Sequence, residues 1–133
     1  MTDLVAAFEK AVFDRLCARV SDARVFQNVP ERQAPPVVIV GDVDWEDEGE
    51  KDGPLLRITV QLVSIVSGPS RKPLNALQAS VRDAIDRWTP TATTSVLFGE
   101  LRVTTASGQE IQGEHGPVYF GQQSATAWVQ AAD

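Results

Sequence analysis

Two apolar runs with a burst of acid between them restrict what this chain can fold into more than any other feature does. Val37 to Val43 (VVIVGDV) and Leu55 to Val66 (LLRITVQLVSIV) flank the segment Asp44 to Asp52 (DWEDEGEKD). In the second run Leu56, Ile58, Val60 and Leu62 alternate with Arg57, Thr59 and Gln61, the period of two that a half-buried strand requires. Burying each of the four apolar side chains stabilises the fold by roughly 1.5–3 kcal/mol relative to exposure. A one-residue slip would turn Arg57, Thr59 and Gln61 inward, so the register is strongly specified. The pattern predicts two strands joined by a long, highly charged connection.

On either side of this hairpin the period changes to that of helices. Leu4, Val5, Phe8, Val12, Leu16 and Val20 recur at three- to four-residue steps behind a capping residue, Thr2 or Asp3, and predict an amphipathic helix over residues 3–20. Cys17 lies beside that apolar stripe and reads as a small core residue rather than a nucleophile. Val25, Phe26, Val29 and Pro30 make a short extended piece, and Pro35-Pro36 hands the chain to the first main strand. After the second strand, SGPSRKP is loop chemistry ending in a proline suited to a helix start. Leu74, Leu77, Val81, Ile85 and Trp88 then mark a second amphipathic helix that Thr89-Pro90 stops. Strands are predicted at Val96 to Val103, Val118 to Gly121 and Ser124 to Val129, separated by Ser107-Gly108, Gly113 and Gly116-Pro117. The expected fold class is α+β, a mainly antiparallel β-sheet with two amphipathic helices packed on one face and a long acidic β-hairpin. The length predicts a single domain over residues 1–133.

Charge narrows the functional classes. Asp42, Asp44, Glu46, Asp47, Glu48, Glu50 and Asp52 stand against Lys51 alone, so residues 42–52 carry the whole net charge of −6 and the remainder is neutral. Such a balance argues against nonspecific binding to phosphate backbones, which needs clustered Lys and Arg. A single cysteine makes no internal disulfide, and no apolar run approaches the ~20 residues that span a bilayer, so neither a stapled scaffold nor membrane insertion is expected.

Chemistry finds little footing. An EF-hand loop started at Asp42 would need glycine where Asp47 stands and a bidentate glutamate where Gly53 stands, which leaves a solvated acidic loop or a looser, millimolar divalent-ion site. His115, the only histidine, has no spacing that recommends a dyad with Cys17, and Gly41, Gly49 and Gly53 do not form a phosphate loop. No catalytic residue, metal ligand or cofactor is expected, and the chain does not read as an enzyme. Trp45, alone among the carboxylates, either packs back onto the sheet, the preferred reading, or contacts a partner, since tryptophan is enriched in binding hot spots. Arg71 and Lys72 are complementary in sign to the acid, and in an assembly of copies one basic patch could steer toward a neighbour's acidic segment.

Taken together, the helix DLVAAFEKAVFDRL, the bridge FQNVPERQAPPVVIV, the acidic hairpin, the strand RITVQLVSIV, the helix LNALQASVRDAIDRW and a terminal sheet segment near TAWVQ resemble the tail terminator or tail completion proteins of long-tailed bacteriophages and gene transfer agents. The likeness is one of order, length and patterning over nearly the whole chain. It implies a structural virion protein of the tail or neck, assembled in the host cytoplasm, without membrane or enzymatic chemistry. It further implies a homo-oligomeric ring, typically a hexamer, that ends the tail tube, meets a head-side connector protein and lets DNA pass through its lumen without sequence-specific binding. The family offers no universal functional residues, so Asp42, Asp44, Trp45, Glu46, Asp47, Glu48, Glu50, Asp52, Arg71 and Lys72 stand as candidate lumen or interface contacts. Head-tail connector or head completion proteins of similar size, an acidic DNA mimic and a divalent-ion-dependent binding module are the alternatives. Mimicry would want carboxylates spread over a surface, whereas here they share one stretch.

Overall fold

A computed structural model describes residues 3–28, 34–49, 55–113 and 116–132. The elements run α1 (Leu4–Arg19), β1 (Arg24–Phe26), β2 (Val37–Asp47), β3 (Leu55–Ser67), α2 (Lys72–Ile85), β4 (Val96–Phe98), β5 (Arg102–Gly113) and β6 (Gly116–Ala131). The class is α+β, and both helices pack on one face of a six-stranded sheet.

The sheet is ordered β1-β2-β3-β6, with β4 and β5 placed end to end along the edge of β6 that β3 leaves free. Every pairing is antiparallel except the short one between β1 and β2, which makes the sheet mixed. The long alternation in β3 does what its period requires. Ile58, Val60, Leu62 and Val66 are buried against the helices, and the facing positions of β6, Ala125, Ala127 and Val129, complete that layer. Phe8, Val12 and Leu16 of α1 and Leu74, Leu77, Val81 and Ile85 of α2 close the core from above. Asp3 caps α1 by accepting from the Ala6 amide at 3.0 Å.

Four expectations change on meeting the structure. The stretch Asp44 to Asp47 is strand rather than connection, because β3 reaches back to Leu55 and pairs with it. The segments Val118 to Gly121 and Ser124 to Val129 belong to one 16-residue strand, since Gln122 and Gln123 continue the alternation with one side chain out and one in. Val96 to Val103 divides at Gly99–Leu101 into β4 and the start of β5, and β5 then continues through Ser107-Gly108, which had read as punctuation. Cys17 is exposed, one step round the helix from buried Leu16. Partial desolvation and the Asp14 carboxylate both push its thiol pKa above the ordinary value, which makes it a weak nucleophile at neutral pH.

Beyond Ile85, α2 gives way to Asp86, whose carboxylate accepts from the Val103 amide at 2.9 Å, and to Arg87 with φ 61. Trp88 therefore lies outside the helix, where the Arg15 guanidinium stacks over its ring at 4.9 Å and donates to the Ala84 carbonyl at 2.8 Å. Arg15 thus binds α1 to the end of α2.

Candidate assembly interface

The acidic segment owes its orientation to one extra residue. Val38 and Val40 face the helices, and unbroken alternation would send Asp42, Asp44 and Glu46 to the same side. The register shifts between Val40 and Val43, where β2 has one residue more than β3. This bulge at Gly41-Asp42 resets the phase, so that Val43 packs against the core while Asp44 lies opposite Thr59 and Glu46 opposite Arg57 on the outer face. Gly41 suits the position, since a Cβ there would come within 3.2 Å of the Gln61 carbonyl oxygen.

Arg57 is the cation among these carboxylates. Its guanidinium donates to Glu46, lies 3.5 Å from Glu48, and stands 6.0 Å from the centre of the Trp128 ring. At the end of the strand the Glu48 amide donates to the Leu55 carbonyl at 2.8 Å, and Asp47 accepts from the Gly49 amide at 2.9 Å. Glu50 and Asp52 lie outside the described residues, as does His115. Trp45 does not pack back onto the sheet. It is 55% exposed, because α1 and α2 cover the sheet's middle and leave this end open.

Outward from the helices, the sheet is polar toward its acidic end, while its other end carries Ile39, Val63, Ile65 and Phe120. Thr59 and Thr126 hydroxyls meet at 2.9 Å, and the Gln61 side-chain oxygen accepts from Gln122 at 3.1 Å and from Ser124 at 2.8 Å. Asp44, Glu46, Arg57, Thr59, Thr104 and Thr126, with Trp45 at the rim, border a shallow hollow of about 280 Å³. Among the described residues no three metal-ligating side chains converge.

The basic pair is elsewhere. Arg71 is the N-cap of α2 and Lys72 its first residue, both exposed, beyond the end of β3 opposite to the acid. At ~3.3 Å per residue, the length of β3 puts roughly 40 Å between the two ends. Acid and base therefore meet only if different copies bring them together.

Sequence reasoning missed β5 beyond Val103, and β5 forms one margin of the sheet. All its residues but Val103 and Gly113 are exposed, and among the described residues only β6 pairs with it. The paired glycines disguised it. Gly108 and Gly121 lie opposite each other under Leu74 of α2, and the useful signal was the two-residue spacing from Gly113 to Gly116 that closes the hairpin.

The fold is thus a two-helix layer on an extended sheet, with an acidic strand and with margins unpaired among the described residues. The family model for "Tail completion protein gp17" matches residues 10–115, and the chain belongs to that family of phage tail structural proteins. Its place is the virion tail. Among solved structures, a chain from the virion of a native gene transfer agent particle has the same fold, with TM-score 0.78, 21% identity, and 97% of this chain and 99% of that one covered. No curated protein matches. No helix among the described residues is long and apolar enough to cross a membrane.

Proposed function

We propose that copies of this chain close into a ring, of about six subunits by its resemblance to tail terminators, which ends the tail tube and joins it to a head-side connector. DNA passes through the opening, and the outer sheet face lines it. The observation that carries this reading is the chemistry of that face. At its acidic end Asp44 and Glu46 project, hydroxyl and amide groups lie beside them, Arg57 is engaged by Glu46 and Glu48, and Arg102 lies 3.8 Å from Asp86 and 3.6 Å from Glu100. Phosphates passing that end of the wall meet net repulsion over about a Debye length, since each arginine there is paired with two carboxylates. The match to a gene transfer agent virion chain supports the same setting. The chain in this role is a building block and does no chemistry.

Electron microscopy of the concentrated protein tests the reading. Annular particles with an open centre are expected, together with no retention of duplex DNA at physiological salt. Solid or irregular aggregates that capture DNA would count against both the ring and the lumen assignment.

A further inference from the structure

We infer that the free edge of β5 takes the acidic half of β2 from the next copy of this chain, making one sheet continuous between subunits. The inference rests on the ring reading and names the surface that closes it.

The first argument is that β5 lacks most of the usual protection of an exposed edge. It is 12 residues long, contains no proline and no lysine, and carries charge only at Arg102 and Glu110; the register shift at Thr104 is its one irregularity. Such an edge offers a row of backbone donors and acceptors to another strand. Beside it runs a groove of about 350 Å³ between β5 and α2, with Gln78, Arg82, Val103 and Thr105 in its walls. Gln123 reaches it from below, buried, with its amide nitrogen donating to the Gln78 carbonyl at 3.0 Å and its side-chain oxygen without a partner.

Register supplies the second argument. Asp44 is level with Thr59, Thr59 with Thr126, and Thr126 with Arg102. A copy related by rotation about an axis along the strands brings its Asp44 to the height of Arg102, on the same face of the sheet. Its Asp42, at the bulge, arrives near Thr104 and Thr105, where Arg82 is the one charged residue in the groove wall among the described residues. Strand directions agree as well. Since β2 is antiparallel to β3, and β5 antiparallel to β6, the neighbour's β2 runs antiparallel to β5.

Charge also selects the partner. Beyond Ile39 no described strand pairs with the outer edge of β2, and its own carboxylates repel a second β2. Like-with-like dimers are thereby disfavoured, while an acidic edge meeting one flanked by Arg82 is favoured; Arg102, 3.8 Å from Asp86 and 3.6 Å from Glu100 in its own copy, adds little to that attraction. A head-to-tail contact of this kind closes into a ring when its rotation permits.

Engineered disulfides test the pairing. In a Cys17→Ser background, Asp44→Cys is combined in turn with Arg102→Cys, Thr104→Cys and Ala106→Cys, all at exposed positions, so that shear of a few residues is covered. Oxidation of the concentrated protein is expected to give a covalent ladder up to the assembled size from at least one combination, and none when Asp44→Cys is combined with Lys10→Cys. Closed oligomers without a cross-link in any of the three would overturn the strand pairing and leave the ring standing. Monomers at every concentration, also without cross-link, would overturn both.

Discussion

At Gly121 the absence of one atom lets α2 lie on the sheet. A Cβ there would stand 2.9 Å from Leu74 Cδ1 and closer still to the Gln78 amide. Leu74 is fully buried, and Gln78 holds β5 through a 2.9 Å hydrogen bond to the Ser107 carbonyl, so neither can yield without disturbing its own contacts. Gly121→Ala should destabilise the protein by about 1–3 kcal/mol, the usual cost of overpacking, measurable as a lowered urea midpoint. An unchanged midpoint would mean that α2 sits higher than described. Cys17 teaches the opposite lesson about single positions. Its neighbour Leu16 is buried while Cys17 faces solvent, because one residue is about 100° of helix rotation. The apolar stripe was visible in the sequence; which side of its margin a small residue occupies was not.

Elements divide by how much of their pairing is local and how much of their alternation is apolar. α1, α2 and β3 were legible because Phe8, Val12, Leu16, then Leu74, Leu77, Val81, then Ile58, Val60, Leu62 repeat with one period and one side. β6 was half legible: Ala125, Ala127 and Val129 alternate with Ser124, Thr126 and Trp128, but buried Gln123 and Gly121 carry no hydrophobic signal. Beyond Val103, β5 was illegible because an edge strand exposed on both faces has no burial to write into its sequence. The acidic half of β2 was read as a connection for a similar reason, since its strand character comes from β3 and from the bulge. Assembly should change the edge strand most. Hydrogen exchange should show rapid exchange for many β5 amides in the free subunit and strong protection for β3 and β6, with β5 becoming protected as oligomers form. Protection of β5 that stays the same on assembly would remove it from the interface.

On the scale of the whole molecule, the acid of β2 and Arg71-Lys72 lie at opposite ends of β3, and both margins of the sheet have unpaired strand edges among the described residues. In a ring whose subunits turn about an axis along the strands each end keeps its height, so the acid meets the neighbour's β5 and Arg71-Lys72 is left at the opposite rim. Membership in the tail completion family gives that geometry a setting, and the resemblance in order and patterning was enough to point to it; the partner edge was not, because it depends on which strand ends the sheet. The central claim is a closed ring, and light scattering across protein concentration, with and without millimolar Mg²⁺, tests it most directly. The account predicts a mass that rises with concentration and levels off near six times the 14.4 kDa of the chain. A mass fixed at one chain throughout, or one that climbs without levelling, would contradict it.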